Sequence, residues 1–175
     1  MGAFDNLVIE DGTNVSGANS YITVDELLTY VDNRELSLSA GSDYDYLASL
    51  LIRATDYIES QRHRFKGDKA NDTQALQFPR DDLYIDGVLI GNTTIPTELK
   101  NTQASIAYDI DAMSLTKAQP SIAASEKGNI IREKVGEIEV QYDSTGNKSS
   151  SPTFTEAQSY LRPMMKANGL VMVKL

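Results

Sequence analysis

The chain has 175 residues, of which 41% are hydrophobic and 23% are charged, a composition typical of one soluble globular domain with a sizeable core. It contains no cysteine, which excludes disulfides, thiolate nucleophiles, thiolate zinc sites and iron–sulfur clusters. No run approaches the ~20 apolar residues that a bilayer span requires, and the N-terminus lacks the pattern of a secretory leader, so we expect a cytoplasmic protein.

The formal net charge of −9 is unevenly distributed. Residues 1–60 contain 11 acidic and two basic side chains, whereas residues 61–175 contain 14 of each. An acidic half opposes general affinity for nucleic acid, because that affinity depends on neutralising phosphates. Two interpretations stay open: a solvated surface that favours solubility, or a face that repels DNA or meets a basic partner.

The first elements in chain order are a strand and a helix. The apolar run at residues 7–9, followed by the Asp-Gly-Thr-Asn sequence at 11–14, predicts an N-terminal strand and a turn. Thr23 and Glu26 have capping-box spacing, which predicts a helix from there to about Arg34. Its buried residues should be Leu27, Leu28 and Val31.

The longest helical apolar stripe follows. The stretch from Ser42 to Gly67 predicts a core helix, with Ser42 at its start and Gly67 as the residue just after its end. The stripe has spacings of three and four residues and consists of Tyr44, Leu47, Leu51, Ala54 and Ile58.

The middle of the chain predicts a hairpin and a third helix. Asp86-Gly87 lies between two apolar pairs in residues 83–90, the strongest short-range hairpin pattern. Pro96 then suits the first position of a helix. The buried face of that helix should consist of Leu99, Ile106, Ala107, Ile110 and Met113.

The last part predicts a second hairpin, residues 131–135 with 138–142, and a flexible loop over 143–152. A helix capped by Thr153 and Glu156 follows, interrupted at Pro163, and residues 170–175 read as an apolar terminal strand. The predicted fold class is therefore mainly α with small β elements. We expect a four-helix core with two β-hairpins and short terminal strands, in one domain over 1–175 with a C-terminal arm of residues 153–175.

Few residues suggest chemistry. His63 is the single histidine and lies among basic residues at a helix end, which is typical of a surface position. The acidic pairs 43/45 and 109/111 are two apart and do not face each other on a helix, and 81/82 lie in a predicted turn. No glycine-rich phosphate loop is present. We expect no catalytic, cofactor-binding or metal-binding residues and no enzyme activity.

One basic cluster has two interpretations. Arg62, Arg64, Lys66 and Lys69 surround Phe65, and a basic patch with an aromatic residue can bind single-stranded nucleic acid. Such cations more often complete a helix end or meet a neighbouring acidic surface. Both interpretations stay open at this point.

Five segments resemble, in order and spacing, a family of tailed-phage proteins. They are residues 18–26, 51–58, 74–80, 95–100 and 132–136, and the likeness extends from about Val8 to Met165. The family is labelled DnaT-like single-stranded DNA-binding, and its members look like head–tail connectors (adaptor or head-completion proteins). Phe78 stands where many relatives carry tryptophan. The resemblance implies no catalytic residues.

The resemblance implies a small, mainly helical subunit of the virion neck that is assembled in the host cytoplasm. It implies a ring, usually of twelve copies, beneath the portal protein and attached to the tail or a further neck protein, with genomic DNA passing through without specific binding and no contact with a membrane. The alternative is a single-stranded DNA-binding module. The terminal strand either contacts a partner or pairs with the N-terminal strand. The candidate subunit or portal interface consists of Arg62, Arg64, Lys66, Ile131, Val135, Ile138, Val140, Leu170, Val171, Val173 and Leu175.

Overall fold

A computed structural model describes residues 2–39, 41, 43–113, 132–135, 138–141 and 154–166. The chain forms two compact units, one of Met1–Ser114 with Phe154–Leu175 and one of Leu115–Thr153. The described residues contain four α-helices and three short antiparallel strand pairs. This confirms the predicted fold class, mainly α with small β elements.

The core of the first unit forms around its third helix. The helices are α1 (Val24–Asp32), α2 (Tyr44–Ser60), α3 (Thr97–Ala112) and α4 (Thr155–Leu161). α3 contacts each of the other three helices, and its buried alanines and Ser105 allow close approach. No helix within these ranges is both long and apolar enough to cross a bilayer.

The helix starts follow local capping chemistry. The predicted capping box of α1 is confirmed, since Thr23 accepts the Glu26 amide and Glu26 accepts the Thr23 amide. α2 is capped by Asp43 and not, as predicted, by Ser42, because the Asp43 carboxylate accepts the Asp45 and Tyr46 amides. Tyr44 therefore lies in the first turn and is exposed, which corrects its predicted place in the core stripe.

The helix ends differ from the prediction in two places. Gly67 does not terminate α2, which ends at Ser60 and continues as a 3-10 turn over Arg62–Arg64. Gly67 has φ +67° where the chain turns into the first strand, and a Cβ there would lie 2.1 Å from the Asp81 carbonyl oxygen. Met113 lies just beyond the end of α3 and is exposed, whereas the other predicted residues of that face are buried.

Three strand pairs are present in the described ranges. β1 (Asp68–Lys69) pairs with β2 (Arg80–Asp81), a contact that was not predicted. The predicted Asp-Gly hairpin is confirmed as β3 (Tyr84–Ile85) and β4 (Val88–Leu89), with positive φ at both turn residues. In the second unit, β5 (Arg132–Val135) pairs with β6 (Ile138–Gln141), as predicted, with Val135 opposite Ile138.

The N-terminal strand is reduced to one parallel bridge between Ile9 and Ser20. The prediction was wrong because the buried Glu10 carboxylate instead accepts the amides of Gly12, Asn14 and Val15 and folds this segment into a loop.

At the C-terminal end, Phe154 and not Thr153 occupies the N-cap of α4, and Pro163 lies in a 3-10 turn, which confirms the predicted interruption. The predicted 143–152 loop and 170–175 strand lie outside the described residues.

Candidate functional site

One wall of a basic cleft is built on the segment that follows α2. Phe65 is extended and fully buried, with its ring 5.0 Å from that of Phe78, so its neighbours Arg64 and Lys66 project the other way. The buried Arg80 guanidinium donates to the carbonyl oxygens of Lys66 at 2.7 Å and Gly67 at 2.6 Å. These bonds fix the backbone that carries the two cations.

The opposite wall is one face of α4 and the turn after it. Thr155, Gln158, Ser159 and Arg162 have spacings of three, one and three residues, which places them on one side of a helix. The other side of α4 is buried through Ala157 and Leu161. α4 is thus an amphipathic helix whose polar face lines the cleft.

Two backbone hydrogen bonds join the walls. The Lys66 amide donates to the Met164 carbonyl oxygen at 2.9 Å, and the Lys166 amide donates to that of Arg64 at 2.7 Å. They flank an antiparallel bridge between Phe65 and Met165. This clasp brings together two chain segments about one hundred residues apart, and with them four cations.

The basic cleft, defined here by Arg64, Lys66, Arg162 and Lys166, has a volume of about 750 Å³. Its described lining contains no acidic and no aromatic residue. The full described lining is Arg64, Lys66, Thr155, Gln158, Ser159, Arg162, Met165 and Lys166. The cleft therefore presents four positive charges beside hydroxyl and amide groups, a combination that suits carboxylates or phosphates.

The four cations differ in how firmly they are held. Lys66 Nζ donates to the Pro163 carbonyl oxygen at 2.7 Å, and Arg64 Nη1 donates to Gln61 Oε1 at 3.2 Å. Arg162 and Lys166 are exposed and form no side-chain hydrogen bond with any residue that the structure describes. These two are the side chains best placed to bind an incoming anion.

The interior of the molecule also contains titratable groups. Burial raises the pKa of Glu59, although its carboxylate accepts the Tyr21 hydroxyl at 2.6 Å and the Gln77 amide at 3.1 Å. Burial would raise the pKa of Asp111 too, but bonds from the Ser39 hydroxyl and amide and from the Tyr46 hydroxyl lower it. Each carboxylate bridges separate segments of the fold, which explains its burial without any catalytic role.

A second, smaller cleft of about 240 Å³ lies between α1 and α3. Its cations already have partners: Lys100 forms a 2.8 Å ion pair with Glu26, and the Arg34 guanidinium lies 3.6 Å from the centre of the Tyr30 ring. In the described part of the chain, no group of three or more histidine or acidic side chains is placed to hold a metal ion. The basic cleft is the stronger candidate.

The structure brings together part of the predicted interface. Arg64 and Lys66 line the cleft, whereas Arg62 is exposed on the same turn and does not. Phe65 is buried, so the basic-aromatic interpretation is corrected: this ring cannot stack on a base. Val135, Ile138 and Val140 lie in β5 and β6 with their side chains outside the description. Ile131, Leu170, Val171, Val173 and Leu175 lie outside the described residues.

Sequence reasoning missed Arg162 and Lys166. The available signal was local: both lie in the last turns of the predicted C-terminal helix, as Arg62 and Arg64 lie in the last turn of the predicted core helix. Cations are common at helix ends, so this pattern alone does not indicate that the two ends meet. Only the tertiary clasp shows it.

Comparison with known protein families identifies a match over nearly the whole chain. The family model described as "Putative DnaT-like ssDNA binding protein" matches residues 5–175, nearly the whole chain. No curated protein and no solved structure matches the chain.

Proposed function

We propose a function from one premise: the chain belongs to the family described as "Putative DnaT-like ssDNA binding protein". Within that family we propose that it is a structural head–tail connector of a tailed phage. Copies would form a ring below the portal protein, through which DNA passes and to which the tail or another neck protein attaches. The resemblance of the sequence segments suggests twelve copies. Its place would be the virion neck.

The observation that carries this proposal is the chemistry of the basic cleft. Four cations line it, and no aromatic ring does in the described lining. Proteins that hold single strands add base stacking, worth about 1–3 kcal/mol per base, to their phosphate contacts. A cleft with cations, hydroxyls and amides but no stacking platform fits the carboxylates of a protein surface better.

The overall charge supports the same proposal. The chain has a formal net charge of −9. An acidic excess disfavours tight binding of a polyanion, which suits a ring along which DNA must slide. Four of the 16 basic side chains line one cleft, where a neighbouring protein can neutralise them.

The second candidate is a single-stranded DNA-binding module. The family description and the four cations of the cleft favour it. If all four contacted phosphates, log K would fall against log salt with a slope of about −3, from roughly −0.7 per phosphate. This slope is the quantity that separates the two candidates.

The test compares wild type, R162Q/K166Q and the control R62Q. Arg62 is exposed close to the cleft but does not line it, so R62Q shows what the loss of one positive charge beside the cleft does, against the loss of two within it. Fluorescence anisotropy would follow an oligothymidine of about 20 nucleotides, longer than typical sites of ~4–16 nucleotides. Electron microscopy would follow assembly on purified portal protein.

Under the connector proposal, oligothymidine binds weakly and R162Q/K166Q reduces ring formation on the portal more than R62Q does. The opposite result is tight oligothymidine binding whose log K falls with log salt at a slope near −3, and which is lost in R162Q/K166Q but kept in R62Q. That result would refute the connector proposal in favour of a DNA-binding module.

A further inference from the structure

We infer that the basic cleft receives an acidic surface of a second copy of this chain, so that copies join head to tail. This inference rests on the proposed function, because it names the protein surface that the cleft holds. The surface is the acidic cluster, defined by Asp5, Asp25, Asp43 and Asp45 around the rings of Phe4 and Tyr44.

The acidic cluster is a structured surface. The Phe4 amide donates to Asp45 Oδ1 at 2.9 Å, and the Tyr44 hydroxyl donates to Asp25 Oδ1 at 2.5 Å. The two rings meet edge to face, 5.2 Å apart and at 87°. These contacts tie the N-terminal segment to the starts of α1 and α2, so the cluster keeps one shape.

The cluster is also available. All four carboxylates are exposed, and Phe4 and Tyr44 are 46% and 37% exposed. None of the four forms an ion pair with a cation in the described ranges. Aromatic side chains are enriched at protein interfaces, and here two exposed rings lie in contact with each other among four carboxylates that can attract a basic surface.

The two surfaces lie at opposite ends of α2. The acidic cluster surrounds the first turn of this 17-residue helix, and the cleft begins just after its last turn. At 1.5 Å per residue, the helix separates them by about 25 Å. One copy therefore cannot fill its own cleft with its own cluster, and the contact has to join different copies in a heterologous arrangement.

The two surfaces are complementary in charge and in kind. Four carboxylates face four cations, of which Arg162 and Lys166 are uncommitted within the described chain. Met165 is the apolar residue of the described lining, and methionine makes favourable contacts with aromatic rings such as the exposed Phe4. The cleft volume of about 750 Å³ is sufficient for one aromatic side chain with its flanking carboxylates.

The test uses two neutralised variants, D5N/D25N and R162Q/K166Q, with R62Q as the control. In D5N/D25N, asparagine keeps the acceptor oxygens that the Gly2 amide and the Tyr44 hydroxyl use. Arg162 and Lys166 are exposed. Both variants should therefore fold as wild type does by circular dichroism. Sedimentation velocity at about 20 mM salt, where screening is weak, measures self-association. We expect each variant to weaken it about tenfold and R62Q to leave it unchanged.

An equimolar mixture of the two variants is the decisive sample. D5N/D25N keeps an intact cleft and R162Q/K166Q keeps an intact acidic cluster. The cleft of the first variant can therefore bind the cluster of the second, and no other intact contact is possible. The mixture should give 1:1 dimers and nothing larger, whereas wild type continues to larger species as its concentration rises. Dimers in the mixture that are absent from either variant alone support the head-to-tail contact.

Three results would overturn the inference: wild type that stays monomeric at about 1 mM protein at low salt, D5N/D25N that associates like wild type, or a mixture without dimers. Poly-L-glutamate then distinguishes this failure from failure of the proposed function. If it binds wild type but not R162Q/K166Q, the cleft still holds an acidic protein surface and only the partner was wrong. If only oligothymidine binds, the connector proposal fails as well.

Discussion

Gln103 provides the sharpest test of how this fold is held together. Its fully buried side chain accepts the Tyr21 amide at 2.9 Å. Its Nε2 donates to Ser20 Oγ at 2.7 Å, Thr55 Oγ1 at 2.9 Å and the Leu51 carbonyl oxygen at 3.1 Å. One amide thus joins the N-terminal segment and α2 to α3. Methionine has a similar volume and helix propensity but can make none of these bonds.

The expected cost of Gln103→Met follows from those contacts. The buried Tyr21 amide loses its acceptor, at about 1–3 kcal/mol, and each lost bond to a hydroxyl that keeps another partner costs about 1 kcal/mol. We expect a loss of about 3–5 kcal/mol in the free energy of unfolding, a large part of the ~5–15 kcal/mol of a typical domain.

Urea unfolding at pH 7, followed by circular dichroism, measures this loss. Gln158→Met, at an exposed position of α4, is the matched control and should change stability by less than about 0.5 kcal/mol. A loss below about 1 kcal/mol for Gln103→Met, with an unchanged denaturant slope, would refute the reasoning.

Three further predictions concern other parts of the chain. In urea titrations, Gly12→Ala should lower the free energy of unfolding by about 2 kcal/mol more than Gly17→Ala does. Both glycines have positive φ, but a Cβ at Gly12 would lie 2.0 Å from the Thr93 carbonyl oxygen, whereas one at Gly17 meets nothing within 4 Å. Equal losses would contradict this. Because burial raises the pKa of Glu59, the contribution of this group to the stability of wild type should fall as pH rises through a window that begins near the ordinary value of 4.5. Glu59→Gln lacks that titration, so the free energy of unfolding of the variant minus that of wild type should increase across the window and then level off. A difference that stays constant from about pH 4 to pH 8, roughly the range of carboxyl titration, would exclude the proposed role of burial. Deleting residues 170–175 should weaken docking on the portal and leave the helical circular dichroism spectrum intact, and undiminished docking would remove this segment from the interface.

Elements encoded by neighbouring residues were predictable from the sequence. The capping box at Thr23 and Glu26, and the Asp86-Gly87 turn, depend on contacts within four residues, and both are confirmed. The errors at the ends of α2 arise where a local pattern has two solutions. Asp43 and Ser42 are both residue types that cap helices, and Gly67 is required by the close approach of the Asp81 carbonyl oxygen and not by the end of the helix. Local pattern cannot choose between such alternatives.

The polar interior and most of the candidate site were not predictable in this way. Nothing local distinguishes Gln103 from an exposed glutamine, because its partners are 48 to 83 residues away. Arg64 and Arg162 likewise line one cleft only because the clasp brings their distant chain segments together. Sequence reasoning found the half of the cleft that is contiguous in the chain and missed the half that folding brings to it.

The clasp between residues 64–66 and 164–166 has a consequence for how this protein can vary. α4 packs against α3 and is joined to the segment after α2 by two main-chain hydrogen bonds, so contacts within the first unit hold α4 in place. Doubling the length of a connection between two elements costs only about 0.6 kcal/mol of loop-closure entropy. A change in the length of the connection between α3 and α4 should therefore cost the helical body little stability, because the contacts that position α4 lie within the body itself.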